Sequence, residues 1–333
     1  MCQTGVVELR GEAGRMAWTP AGARGSPTES RTVVRQQPAI AASAPEHERL
    51  AGPAPVFRAT ASGGQSVFGN LLALREVADE TGRRLGLSLA HAEEVARALR
   101  GSLLRFATDP APAVLSGHEP EGRRLERPHA AFLPLPDPGE SRATIAGVAI
   151  ALPRDVEEVE RQAILLAASR WERRGARLLL GRLGSMQLAR ATDPASEELL
   201  GLPSLSGPSR RWASITPVAL QRNPGDLTAR NPAIAARSAR RAEEIVSRGC
   251  AHICLPTPSR VRVMRRSLFP GVPSAPDFMP YPRPGPGRPS SPERLQRVCV
   301  HVEVEFAEPV EGPVLLGAGR YFGVGVCGAY GER

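Results

Sequence analysis

The chain has 333 residues, 41% hydrophobic but only 4% aromatic, with a formal net charge of +9. That length holds one large or two ordinary domains, aliphatic side chains must build the core, and the charge favours a polyanionic partner. No 18-residue apolar run is present to cross a membrane, and five cysteines without framework spacing argue against a secreted disulfide scaffold and for a soluble, cytoplasmic protein.

Residues 1–58, rich in Ala, Pro, Arg, Ser and Gly, lack apolar periodicity and read as disordered or as a poorly defined start to the reading frame. Order is expected from about Ser66. Phe68, Leu71, Leu72 and Val77 lie at helical spacing, and so do Val95, Leu99, Leu103 and Phe106 on a segment starting near His91. Arg97, Arg100 and Arg105 fit the solvated side of that second helix. Seven prolines between residues 107 and 142 predict a long loop. It carries His118 and His129, flanked by Arg123, Arg124 and Arg127. Long loops inside compact chains are more often functional than idle.

From Thr144 the pattern changes. Ile145, Val148 and Ile150 predict a buried strand. Pro153 and Asp155 open a helix with Val156, Val159, Ala163 and Leu166 on one face. Leu178–Leu183 and Trp212–Leu220 read as extended. A helix is expected over Pro232–Arg248, with Ile234, Ala242, Ile245 and Val246 inside and Arg237, Arg240, Arg241 and Arg248 outside. Val261 and Val263 alternate with Arg260 and Arg262, a strand with a basic face. A proline-rich loop at 270–292 precedes the clearest strand, in which Val298, Val300, Val302, Val304 and Phe306 alternate with polar residues. The order β-α-β, then β-α-β-β-β, predicts an α+β, ferredoxin-like module with an antiparallel sheet over 143–333, preceded by a helical and loop segment over 59–142.

Near the C-terminus, Gly317-Ala318-Gly319-Arg320-Tyr321-Phe322-Gly323-Val324-Gly325 concentrates glycines around one arginine and two aromatics. Its glycines are mis-spaced for a dinucleotide fingerprint, and no long helix follows. A P-loop needs a lysine, and all 43 basic residues are arginine. What remains is a turn between a short strand, Val314–Leu316, and a final one, Tyr321–Cys327. It is either a hairpin with extra glycines or a close-approach loop for a ligand.

Histidine is the commonest acid/base group at neutral pH. His118 and His129, set among arginines, suit RNA cleavage that needs no metal. One imidazole takes the proton of a 2′-hydroxyl, a second protonates the leaving 5′-oxygen, and guanidiniums stabilise the phosphorane. Cys250, Cys254 and Cys299 with His252 and His301 offer soft ligands for an alternative zinc reading, although Cys250 and Cys254 have three residues between them rather than the usual two. No GxSxG or HExxH motif is present.

The run Glu308–Gly325 resembles the glycine-rich signature of CRISPR-associated RAMP proteins, and more closely the type I-U (also called I-G) fusion of the Cas-five and Cas-six subunits. Ser116-Gly117-His118, Pro128–Leu135, Ile145–Ala168, Trp212–Val218 and Leu255–Pro258 match that family in order. The resemblance implies ferredoxin-like (RRM-like) modules and cleavage of precursor CRISPR RNA through the 2′-hydroxyl, without metal or cofactor. It implies that the processed guide is then held with other subunits in an interference complex. The acid/base candidates carried over are His129, favoured by its longer block, and His118. The RNA-binding candidates are Gly317, Gly319, Arg320, Tyr321, Gly323 and Gly325. A non-catalytic guide-binding subunit stays open beside the nuclease. Family members open with another ferredoxin-like module and a Trp-Pro-Pro-Ser-Pro-type motif. Residues 1–58 carry neither, so the chain is expected to be truncated at its N-terminus, with 59–142 a partial first module.

Overall fold

A computed structural model describes residues 64–137, 143–278 and 297–331. The expectations for residues 1–58, and for the proline-rich stretch beyond Phe278, lie outside the described residues.

The first sheet is assembled from β1 (Phe68–Val77), α1 (Ala92–Phe106), α2 (Ala113–Ser116), β2 (Ala131–Pro136), β3 (Ile145–Pro153), α3 (Glu158–Arg173), β4 (Arg177–Leu179) and β5 (Ser185–Arg190). Its spatial order is β2-β3-β1-β5-β4, antiparallel throughout. That is the ferredoxin-like split β-α-β-β-α-β arrangement with one added edge strand. The helix expected over Phe68–Val77 is therefore a strand, the central one of the sheet. Its register slips between Phe68 and Leu71, where three steps on β1 face two on β3. Such a bulge breaks the two-residue alternation that marks a strand. The resulting spacing imitates a helix.

The described residues 64–137 carry the helix expected from near His91, as α1, and in addition supply β1 and β2 to a five-stranded sheet completed after residue 143. The loop expected over 107–142 contains α2 and β2. Pro134 and Pro136 concealed β2, and they are tolerated because β2 is an edge strand, where a missing N–H costs no ladder bond.

The second sheet follows two short helices, α4 (Pro194–Leu199) and α5 (Leu202–Ser206). It contains β6 (Pro208–Ser214), β7 (Val218–Ala219), α6 (Pro232–Ala251), β8 (Arg260–Met264), β9 (Cys299–Glu311), β10 (Val314–Leu315) and β11 (Val326–Ala329). The long strand β9 pairs with β6, β7 and β8, and β11 with β6 and β10. The chain order again gives β-α-β-β and a returning strand. Between β9 and β11, however, stands the glycine-rich loop instead of a second helix. α6 starts where expected because Pro232 occupies its first turn and the Asn231 side chain accepts from Ala233 N.

One helix face is rotated from expectation, and a second departs only in its first turns. On α3 the core takes Ile164, Ala167, Ala168 and Trp171, while Val159 and Leu166 are 70% and 42% exposed. On α6, Ala242, Ile245 and Val246 face the core as expected, but Ile234 is 45% exposed and Ser238 is buried on the same face. The final strand also starts later than Tyr321, since Arg320–Phe322 forms a 3-10 turn.

All described residues belong to one compact unit, and one core cluster runs through both sheets. The seam is knitted by Ser66 N to Glu311 O (2.9 Å), Val67 N to Ile253 O (2.9 Å) and Arg154 to Glu311 (2.9 Å).

Candidate functional site

The glycine-rich loop leaves β10 and packs against α1 and β2 of the other sheet. Its glycines answer to the protein itself. Gly325 has φ +91°, and a Cβ there would sit 1.9 Å from Leu316 O. Gly323 has φ +70°, and its Cβ would sit 2.4 Å from Pro134 Cδ. Thr216 Oγ1 accepts from Gly325 N (3.0 Å) and Val326 N (2.9 Å), fixing the return into β11. Gly317, Gly319, Gly323 and Gly325 are all buried, as are Tyr321 and Phe322; Ala318 and Arg320 are half-exposed. Of the polar side chains expected to meet RNA here, Arg320 is thus the accessible one.

Burying the loop carries its aromatics to the histidine loop. Tyr321 stacks on His129, with ring centroids 3.6 Å apart and planes 21° from parallel. Phe68 of β1 meets Tyr321 edge-on at 6.1 Å. Arg320 lies over the same Tyr321 ring at 4.7 Å, and Arg97 of α1 lies over Phe322 at 4.5 Å. Arg320 Nη1 donates to Gly317 O (3.1 Å), whereas its Nε is buried without an acceptor.

His129 stands just before β2, held by Ala130 N donating to Val114 O of α2 (2.8 Å). It is 4% exposed. Its Nδ1–H donates to Ala130 O (3.1 Å). A carbonyl only accepts, so the proton is on Nδ1 and Nε2 carries the lone pair. Burial first, then the guanidiniums of Arg100, Arg320 and Arg124, push its pKa down to about 3. The ring is neutral at physiological pH.

His118 follows α2, whose C-terminus is capped by Gly117 in the left-handed region, φ +73°. Residues 117–125 form a small hairpin closed by Leu125 N to Gly117 O (2.9 Å) and a bridge between His118 and Arg124. The His118 Nδ1–H donates to Ser116 O (3.0 Å), which also accepts from Arg100. Arg100 therefore links the two histidine segments. Of the flanking arginines, Arg127 is bound to Glu160 of α3 at 2.7 Å, and Arg123 reaches towards Glu121 at 3.9 Å. The structure thus brings His129, Tyr321 and Arg320 into one stack and sets His118 on the adjoining hairpin. The parts that sequence reasoning missed are Arg100 and the pairing of Tyr321 with His129. Their only trace was Arg97 and Arg100 three positions apart on one face of α1.

The zinc reading fails on placement. Cys250 points its thiol at Val246 O within α6 and Cys299 at Arg297 O. His301 is fully buried, its Nε2–H donating to Pro273 O (3.1 Å) and its Nδ1 accepting from Ser214 Oγ (3.0 Å). Among the described residues no group of three His, Cys, Asp or Glu converges on a metal position. The basic face expected on β8 is also offset: Glu303 of β9 pairs with Arg262 (3.2 Å) and Arg211 (2.6 Å).

Among the described residues, no helix is long and apolar enough to cross a membrane. No curated protein and no solved structure matches the chain. A family model described as CRISPR-associated protein, GSU0054 family, matches residues 84–329. The match spans α1 to β11 and includes both histidines and the glycine-rich loop, so the chain belongs to this family of CRISPR-associated proteins.

Proposed function

We propose that this protein is a RAMP-type subunit that cleaves precursor CRISPR RNA and then retains the guide within a type I-U (I-G) interference complex. The observation that carries this reading is His129. It is a neutral imidazole with its Nε2 lone pair available, set among Arg100, Arg124 and Arg320 from three separate elements. Nε2 takes the proton from a 2′-hydroxyl, and the 2′-oxygen attacks the adjacent phosphorus. The bond from phosphorus to the 5′-oxygen breaks, and His118 supplies the proton for that oxygen. The three guanidiniums offset the charge that builds on the phosphorane oxygens. No step calls on a metal ion.

One observation favours a second reading, a guide-binding subunit without cleavage: His129 is 4% exposed, beneath a packed loop. Purified full-length protein incubated with its associated repeat RNA in EDTA separates the two. Cleavage that is lost in His129→Ala, with RNA binding retained, supports the nuclease. Binding by the wild type with no cleavage sinks it and leaves the structural subunit.

A further inference from the structure

His129 is held in three ways. The Tyr321 ring fixes its plane, and Phe68 edges Tyr321 in turn. The Nδ1–H bond to Ala130 O fixes rotation within that plane, and so fixes where Nε2 points. The Arg320 guanidinium then sits over the other member of the stack, with Nε buried and lacking an acceptor. A donor left without an acceptor costs free energy that an incoming acceptor recovers.

The charges that act most strongly on the ring are positive, while the nearby carboxylates are already engaged, Glu93 of α1 with Arg97 (2.7 Å) and Glu160 of α3 with Arg127 (2.7 Å). α1 contributes Arg100, with Arg97 beside it on Phe322; the 117–125 hairpin contributes Arg124 and the titratable His118; the glycine-rich loop contributes Arg320 and the Tyr321 phenol. An imidazolium formed among these guanidiniums meets repulsion. A phosphodiester placed among them adds a negative charge that offsets part of that repulsion and so favours the protonated ring.

We propose, on the reading that His129 carries the cleavage, that Tyr321 and Arg320 are its positioning residues, and that a phosphodiester engaging Arg320, Arg100 and Arg124 couples RNA binding to protonation of the ring. The empty site keeps His129 a base with a fixed lone pair. The loaded site stabilises the imidazolium that exists once the 2′-hydroxyl proton has been taken. The glycine-rich loop then acts from behind the histidine, which explains why it is buried rather than spread along the surface.

The test is an NMR titration of the His129 ring in full-length protein. Its signals are identified by their loss in His129→Gln. The probe is an oligodeoxynucleotide of the repeat sequence, which has no 2′-hydroxyl and cannot be cleaved. At saturation the His129 midpoint should rise by about one to three pH units. Arg320→Gln should remove most of that rise, and Tyr321→Phe should keep it. Tyr321→Leu should blur the single Nδ1–H tautomer into a mixture. An unmoved wild-type midpoint overturns the proposal, and so does a full rise in Arg320→Gln. RNA cleavage in EDTA is scored in parallel. A shifted midpoint without cleavage sinks the nuclease reading and spares the coupling; cleavage without a shift does the reverse.

Discussion

The two sheets follow the same chain order but are backed differently. The first carries α1 and α3, while the second carries α6 and, between β9 and β11, the glycine-rich loop in place of a helix. A helix there would have covered its own sheet with its own apolar stripe. The loop instead turns its aromatics outwards from the second sheet and buries Tyr321 and Phe322 against α1, β1 and β2 of the first. What the second sheet lacks is what joins it to the candidate site.

The largest effect expected from disturbing this joint comes from Gly325→Ala. The substitution puts a side chain at φ +91° and a methyl 1.9 Å from Leu316 O. Left-handed strain and overpacking together should cost about 3 kcal/mol or more. The control is Gly175→Ala after α3, where φ is +89° but nothing lies within 4 Å of the added Cβ. There only the backbone cost of about 1–2 kcal/mol applies. Chemical denaturation of both variants checks the difference. Equal losses would mean that the second-sheet loop is no tighter than an ordinary turn.

Acid distinguishes the sheets in a second way. Each buries a neutral histidine, His129 beside the first and His301 within the second, and burial lowers both pKa values from 6.5. Unfolding lets each ring take a proton that the folded state refuses. Stability therefore holds above pH 6.5 and falls below it, by about 1.4 kcal/mol per pH unit for each ring still neutral when folded. For His129 the fall continues down to about pH 3. Denaturation at pH 7.5 and pH 5 should show a smaller loss in His129→Gln than in the wild type. An identical loss would place His129 in contact with water rather than under Tyr321.

Sequence patterns reached the second sheet better than the first, for physical reasons. β9 alternates in sequence because Val300, Val302, Val304 and Phe306 are buried on one face while Glu303 and Glu305 lie on the other. β1 lies mid-sheet and carries a bulge, so its apolar spacing imitates a helix. β2 was hidden by Pro134 and Pro136, which only its edge position permits. At the candidate site, residue types pointed to His118, His129 and Arg320 without their geometry. Nothing local to Tyr321 says that its ring lies on a histidine from the other half of the chain. That contact is a property of the docking between sheets, whereas the charge that Arg100 brings to His129 comes from the packing of α1 on β2 within the first.

The smallest expected effect lies on the outer face of α3. The helical period placed Val159 and Leu166 in the core, but the sheet takes Ile164, Ala167, Ala168 and Trp171. Val159 is 70% exposed, so Val159→Ser removes little apolar burial and should change stability by less than about 0.5 kcal/mol. Ile164→Ala, five positions on and fully buried, should cost about 2–5 kcal/mol. The ratio of the two, read by denaturant midpoint, checks the rotation of α3. A substantial loss from Val159→Ser would mean that this helix covers its sheet with the face the sequence period suggested.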